Sequence, residues 1–250
     1  FYVEGFIYAE QDGAVLSLPY MGFAGDWGAL PVLCGTPNDT SEFYPAAATT
    51  SIASGSGEIE TTLGVNAFLE GDAVNASLLA ISPDGDHRGD SLSLTLLPLR
   101  GASSYSCAIY DESGALCRSI GGGPLVKCYA ETSDAGESIL QGLRLDDFWD
   151  GGDDAGAGYI LPDGRYTVCF TILPSAGMQE QEWSFSVLLD TVDPVLEEAY
   201  LTRGTDGRLL LHVRVSDDAS CVQYVCAYLG SGQLGEAYAP AALDASAQAE

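Results

Sequence analysis

A strict alternation of apolar and polar residues is the feature that most constrains what this chain can fold into. In RLLLHVRVS (208–216), every second residue from Leu209 to Val215 is apolar, whereas His212 and Arg214 fall on the other side. This period of two is typical of a half-buried β-strand. SLSLTLLPL, GRYTVCFTIL and EWSFSVLLD repeat it between Gly, Asp and Ser turns, and sustained helical periodicity is nearly absent. We therefore predict an all-β fold of antiparallel β-sandwiches.

The charge of the chain excludes two classes of partner. It has 36 acidic and 9 basic residues among 250, a formal charge of −27. A surface of this sign repels nucleic-acid phosphates and an anionic membrane leaflet. The chain also has no apolar run near the roughly 20 residues that span a bilayer. We expect no nucleic-acid partner and no membrane insertion in this segment, and no signal peptide, because Phe1 already opens a strand pattern.

Two changes in composition divide the chain into three predicted units. Residues 35–57 are rich in Thr, Ser, Ala and Pro, which indicates a long connection or an extended excursion over a surface. Pro194 lies between a strand pattern that ends at Asp190 and the next one. The predicted units are 1–34, 35–193 and 194–250. Only the middle one is long enough for a whole sandwich, so we expect both flanking domains to be truncated.

The cysteines leave two possibilities open. None of the seven has CxxC spacing, which argues against a zinc ribbon or a thioredoxin-like site. Disulfides in an oxidising compartment and free thiols packed as small apolar groups are both compatible with the pattern. The seven are Cys34, Cys107, Cys117, Cys128, Cys169, Cys221 and Cys226.

Five landmarks in order resemble one protein family. YVEGFIYAEQDGAVLSLPYMGFAGDWGALPV, LGVNAF, AISPDGDHRGD, FWDGG…LPDGRYTVCF and SFSVLLDTVDP span most of residues 1–215. They resemble the fibronectin type III-like accessory domains of cell-envelope subtilisin-like serine proteases, the lactocepin and complement anaphylatoxin peptidase family. The resemblance implies tandem fibronectin type III- or immunoglobulin-like sandwiches: the closing strands of a first domain (1–34), a second domain (35–193) and the start of a third (194–250).

The aromatic run LSLPYMGFAGDWGALPV (16–32) contains too many Pro and Gly residues for a helix. In a domain of this family, Tyr20 would close a strand, and Phe23 and Trp27 would lie against the protein body as apolar anchors. A sugar-stacking platform is the alternative function for such a run. The other tryptophans, Trp149 and Trp183, are expected to fill the core of the middle sandwich.

Catalytic residues are not expected in this chain. Subtilisin-type catalysis needs a Ser nucleophile, a His base and an orienting Asp. The only histidines are His87, in an Asp-rich turn, and His212, in mid-strand, and neither lies in the family's catalytic context. The resemblance therefore implies that the triad belongs to a domain upstream of Phe1.

The turn SPDGDHRGD (82–90) is the candidate metal site. Asp84, Asp86 and Asp90 are close in sequence, and the intervening glycines allow the backbone to bend so that the carboxylates converge. Calcium takes 6–8 oxygen ligands in irregular geometry, so we predict Ca²⁺ as the possible cofactor, with a solvated acidic turn as the alternative. LDDFWDGGDD (145–154) offers five further aspartates as possible ligands: Asp146, Asp147, Asp150, Asp153 and Asp154.

Two short motifs in the chain are weak signals. Arg88-Gly89-Asp90 spells the tripeptide that integrins recognise, and Asn38-Asp39-Thr40 matches a glycosylation sequon. Both are short enough to arise by chance, so neither is expected to carry function.

The leading hypothesis is a noncatalytic accessory region of a secreted, cell-surface or wall-associated serine protease of a Gram-positive type bacterium. Its expected partners are its own upstream protease domain and protein substrates, with the acidic surface favouring basic ones. The rival hypothesis is an adhesin or glycan-binding module of a bacterial surface protein. A spacer without a ligand is a third possibility.

Overall fold

The all-β prediction is confirmed by a computed structural model, which describes residues 2–39, 44–54, 57–65, 78–132, 136, 138–155, 158–207, 209–217, 228–229 and 232–233. Trp27–Ala29 forms a 3-10 turn, and no described helix is long and apolar enough to cross a membrane. The described strands are β1 (Tyr2–Gln11), β2 (Ala14–Phe23), β3 (Ala47–Ser54), β4 (Gly57–Thr62), β5 (Ala80–Ile81), β6 (Leu92–Leu96), β7 (Ala102–Tyr110), β8 (Leu116–Leu125), β9 (Tyr129–Thr132), β10 (Ser138–Gln141), β11 (Leu143–Trp149), β12 (Gly164–Leu173), β13 (Gln181–Leu189), β14 (Val195–Arg203), β15 (Leu209–Ser216), β16 (Tyr228–Leu229) and β17 (Gly232–Gln233).

Two sheets form the central sandwich. One has the strand order β11-β6-β3-β4 and the other the order β5-β13-β12-β7-β8. Every pairing in them is antiparallel except that of the short β5 with β13. The central strand β12 sets the register of its sheet, because Val168 pairs with Phe185 on one side and with Ile109 on the other.

The inward faces of both sheets form one hydrophobic core. Buried residues alternate along β12 from Tyr166 to Ile172, as the period of two predicts. Trp149 is fully buried and Trp183 is 8% exposed, so both occupy the core as expected. Their indole N–H groups are satisfied: Trp149 Nε1 donates to the Gly152 carbonyl oxygen at 3.1 Å.

The core also includes residues that precede the predicted domain boundary at residue 35. Val32 is fully buried and Leu33 is 8% exposed, and both belong to the same cluster as the sandwich side chains. The Leu99 amide donates to the Val32 carbonyl oxygen at 2.8 Å. The sandwich thus includes part of the aromatic-rich segment, while the three-unit division itself stays a prediction.

Asn38 completes the four-stranded sheet where β4 stops. Its Nδ2 donates to the Ala48 and Leu63 carbonyl oxygens at 2.8 and 2.9 Å, and its Oδ1 accepts from the Ala48 amide at 2.9 Å. The side chain is 7% exposed and the backbone has φ 64°. Asn tolerates this left-handed conformation better than most residues. The carboxamide therefore bridges the Ala48 amide and the Leu63 carbonyl oxygen, which do not bond to each other directly, and the sequon asparagine is structural.

Two hairpins flank the sandwich in sequence. In β1–β2 the register brings Ile7 opposite Leu18, on a face that is exposed to solvent. In β14–β15 the register brings Leu201 opposite Leu211, and both side chains are also exposed. Two shorter hairpins, β9–β10 and β16–β17, complete the described strands.

The four cysteines described inside the sandwich carry free thiols: Cys107, Cys117, Cys128 and Cys169. Cys107 and Cys169 lie on neighbouring strands but pair with Phe170 and Ala108. Because alternate residues point to opposite faces of a sheet, the two sulfurs face away from each other. Burial, together with the nearby Cys169 thiol, raises the pKa of Cys107 to about 12. Of the two sequence-based possibilities, free thiols hold for these four.

Candidate functional site

The aspartate turn lies between β5 and β6. Its backbone bends at three residues with positive φ: Gly85 (86°), His87 (65°) and Gly89 (81°). Glycine adopts this conformation without cost, whereas His87 is a non-glycine residue held there by its surroundings. The Ser82 amide donates to the Gly89 carbonyl oxygen at 2.8 Å, which closes the base of the turn.

Carboxylates organise the interior of the turn. Asp90 accepts from the Gly85 amide through Oδ1 at 3.3 Å and from the His87 amide through Oδ2 at 3.2 Å. Asp84 Oδ1 accepts from the Asp86 amide at 2.9 Å. The Asp84 bond is of the Asx type, and all three are local side-chain to backbone bonds that a short carboxylate can make, which explains why Asp is used at these positions.

The turn brings together the three predicted ligand residues. One carboxylate oxygen from each of Asp84, Asp86 and Asp90 lies within 4.8 Å of the others, and all three residues are exposed or half-exposed. Three converging carboxylates in solvent form a hard, oxygen-only and strongly negative donor set. Calcium accepts such a set and completes its coordination with carbonyl oxygens or water. The chemistry of the residues therefore fits the predicted ion.

The second acidic loop does not contribute to this group. Its five aspartates were possible ligands by sequence, yet none joins the three carboxylates in the described structure. Their carboxylates have other partners: Arg144 for Asp146, Ser91 and Ser93 for Asp147, Arg118 for Asp150, the Ala155 amide for Asp153 and the Ser119 amide for Asp154. Each of these carboxylates bonds to a nearby basic, hydroxyl or amide group instead of joining the three carboxylates of the aspartate turn. Sequence spacing does not show which of these groups lie nearby.

The Arg88-Gly89-Asp90 tripeptide is folded into the turn. The Gly89 amide donates to the Ser51 carbonyl oxygen at 3.0 Å, and the Arg88 backbone forms an isolated antiparallel β-bridge with Ile52 of β3. The Asp90 carboxylate already accepts two amides of its own turn. The expectation that the motif carries no integrin-binding function stays a prediction.

The two histidines have structural surroundings. His87 occupies the strained position in the aspartate turn. The His212 ring stacks on Tyr200 with 4.7 Å between centroids, and its Nε2 lies 2.7 Å from Thr202 Oγ1. The absence of catalytic residues from this chain stays a prediction, resting on the sequence contexts of these histidines.

Trp27 is held at the surface of the sandwich. Phe23 contacts its ring edge to face at 5.2 Å between centroids, and the Arg100 guanidinium lies 5.6 Å from the ring centroid. The ring is nevertheless 43% exposed and borders a cavity of about 470 Å³ with Met178 and Asp26. The expected anchor is therefore only partly packed, and its main partner Arg100 was not predicted because it lies 73 residues away in sequence.

Known proteins similar to this chain are peptidases. No family model matches the chain. The C5a peptidases of Streptococcus pyogenes serotypes M3 and M1 are each 25% identical over 272 aligned residues, which cover 84% of this chain. The chain spans only 23% and 22% of those two relatives. This distant similarity is consistent with the resemblance in the sequence landmarks and favours a region of a peptidase over a free-standing adhesin.

Proposed function

We propose that this chain is a noncatalytic accessory region of a secreted, cell-surface subtilisin-like serine protease. Its role is to position the catalytic domain and to contribute contact surface for large protein substrates. Binding energy gathered away from the scissile bond lowers the entropic part of the barrier, because the substrate is already oriented when it reaches the nucleophile.

The similarity to C5a peptidases over 84% of the chain carries this proposal. The fold supports it, because a sandwich with a single well-packed core is a stable support. The landmarks that resemble fibronectin type III-like accessory domains give the finer assignment. The proposed location is extracellular, at the surface or wall of a Gram-positive type bacterium.

The coding sequence on both sides of the chain tests this proposal directly. We expect a subtilisin-like catalytic domain with its Ser, His and Asp upstream of Phe1, and a wall-anchor signal downstream. The purified chain alone should not hydrolyse casein, whereas the complete protein should, in a manner blocked by a serine-protease inhibitor. Hydrolysis by the chain alone, with contaminants excluded, would refute the noncatalytic role.

The acidic surface supports a preference for basic protein substrates. A charge of −27 attracts cations over about one Debye length, roughly 8 Å at physiological ionic strength. For the complete protein, kcat/KM for a basic protein should fall as salt rises, while kcat/KM for a short neutral peptide should not. Salt-independent cleavage of the basic protein would remove this part of the proposal.

We further propose that Asp84, Asp86 and Asp90 hold a structural Ca²⁺ ion. The ion would link the three carboxylates to one another and so stabilise the turn between β5 and β6. Without an ion, three close carboxylates repel one another, and the turn relies on its amide hydrogen bonds. An ion of charge +2 would remove this repulsion.

Thermal unfolding in calcium and in chelator tests the ion site. For a site with a Kd of about 0.1 mM, about 1 mM free calcium stabilises the fold by roughly 1.4 kcal/mol, or about 3–6 °C in Tm. Asp86→Asn should abolish this shift. Asp146→Asn is the matched control, because Asp146 is acidic and exposed but pairs with Arg144, and it should keep the shift. An unchanged Tm in the wild-type protein excludes the ion.

A further inference from the structure

The segment that connects β2 to the sandwich, residues 27–35, is bound along its length by side chains of the sandwich. We call it the connector. Its own secondary structure is a single 3-10 turn, capped by Asp26, whose Oδ1 accepts from the Gly28 amide at 2.8 Å. A segment with so little internal hydrogen bonding is held in place only by what it contacts.

Gln181, at the start of β13, makes the most contacts with the connector. Its Nε2 donates to the Gly28 and Leu30 carbonyl oxygens at 3.0 and 2.8 Å, and its Oε1 accepts from the Val32 amide at 3.0 Å. One carboxamide thus binds three backbone groups over five residues. Gln181 lies on β13, which pairs with the central strand β12. Its backbone is therefore fixed by the sheet, and its side chain holds the connector against the sheet.

Two further side chains bind the ends of the connector. The Arg100 guanidinium donates to the Trp27 carbonyl oxygen and, at 3.2 Å, to that of Gly28. At the other end, the Trp183 indole donates to the Gly35 carbonyl oxygen at 2.8 Å. The preceding hairpin is attached directly, since the last residue of β2, Phe23, packs on the Trp27 ring.

The connection after the sandwich is built in the same way. Asp163, from the turn before β12, accepts from both the amide and the hydroxyl of Thr191, at 3.1 and 2.9 Å. Asp190 is buried, and its Oδ1 accepts from the Val192 amide at 3.2 Å. Pro194 then fixes the backbone immediately before β14.

We propose that the central sandwich holds both of its connections rigidly, with Gln181 and Asp163 as the positioning residues. The β1–β2 and β14–β15 hairpins would then reorient with the sandwich as one body. This inference depends on no property of a protease, so it can fail or hold independently of the proposed function. If both hold, the two connections are the segments through which the stable sandwich fixes the orientation of the adjacent hairpins.

Nitrogen-15 relaxation of the full 250-residue chain tests this proposal. In the wild-type protein, R2/R1 ratios should be the same for amides of β1–β2, of β14–β15 and of the sandwich. Gln181→Leu should lower the ratio in β1–β2 by at least about twofold and leave the sandwich unchanged, because a hairpin freed from the sandwich tumbles faster. Thr191→Val, which removes the hydroxyl bonds to Asp163, should act on β14–β15 alone.

Two additional variants make the result decisive. Gln141→Leu, the same substitution at a half-buried site on β10, should change neither hairpin. If Gln181→Leu fails to fold, Gln181→Glu keeps the size and the acceptor for the Val32 amide but loses both donated bonds, and it should mobilise β1–β2. A purely structural role for Gln181 would lower Tm without freeing the hairpin. Faster tumbling of the hairpins in the wild type, or no change in the Gln181 variants, overturns the proposal.

Discussion

Substitution of Asn38, a buried polar residue in the loop before β3, should destabilise the sandwich strongly. In Asn38→Ala, the Ala48 amide loses its partner in a buried position, and the Leu63 carbonyl loses a donor. An unsatisfied buried backbone group costs about 1–3 kcal/mol. Alanine at φ 64° adds about 1–2 kcal/mol. We expect a total loss of about 2–5 kcal/mol, a large share of the roughly 5–15 kcal/mol of a typical domain.

Two related variants separate these contributions. Asn38→Gly removes the hydrogen bonds but tolerates the positive φ, so it should be less destabilising than Asn38→Ala by about 1 kcal/mol. Asn38→Asp keeps the shape but places a carboxylate oxygen where Nδ2 lay, against the Ala48 and Leu63 carbonyl oxygens. Burial and this repulsion raise the pKa of the new carboxyl group. The protein should therefore regain stability as pH falls through that pKa, because the protonated group can donate again.

Chemical denaturation followed by tryptophan fluorescence measures these differences. Trp149 and Trp183 lie in the core and report its exposure. Midpoint and slope should be compared at pH 7 and at pH 5 for all three variants. The reasoning is refuted if Asn38→Ala unfolds within about 1 kcal/mol of the wild type, or if Asn38→Asp matches the wild type at pH 7.

Three further predictions concern the sandwich. Gly142→Ala should lower the melting temperature severely, because a Cβ there would lie 1.9 Å from a carbonyl oxygen of β6. Gly123→Ala is the control: a Cβ there meets nothing within 4 Å, so thermal unfolding should be nearly unchanged. Cys107 should resist alkylation at pH 8 in the folded protein and react only on unfolding, because its pKa is about 12; labelling under native conditions would contradict this. Hydrogen bonds from Ser113 lower the pKa of Asp111, so an NMR titration should show that Ser113→Ala raises it, and the wild-type turn should weaken only as pH falls through the lowered value.

Strands β12 and β13 were predictable because their alternation is local, whereas β3 lies within residues 35–57, which the sequence composition wrongly indicated as a connection. GRYTVCFTIL and EWSFSVLLD became β12 and β13, and Asp163-Gly164 marks the turn at which β12 begins. The aspartate turn was predictable for the same reason, since Asp84, Asp86 and Asp90 interact through amides a few residues away. Contacts between near neighbours are encoded in spacing, and spacing is visible in a sequence.

The roles of Asn38, Arg100 and Gln181 could not be read in this way. Each binds backbone groups that are unpaired only because of where the strands end in three dimensions, and Gln181 lies 149 residues from the Val32 amide. A polar residue in a loop or at the start of a strand has the same appearance whether it faces solvent or satisfies such a group. Sequence identifies the donors and acceptors, whereas the fold determines which of them lack partners.

The β14–β15 hairpin shows a different limit of the alternation rule. The pattern correctly separates the faces: Leu211 lies with other apolar residues, while the opposite face carries the stacked Tyr200–His212 pair and the Glu198–Arg214 ion pair at 3.6 Å. Leu211 is nevertheless 45% exposed. In the sandwich, a second sheet lies across the apolar face, so alternation and burial coincide. In a two-stranded hairpin, which is marginally stable alone, the same alternation fixes only which side chains share a face. Periodicity therefore specifies the polarity of a surface, and burial follows only where another apolar layer meets it.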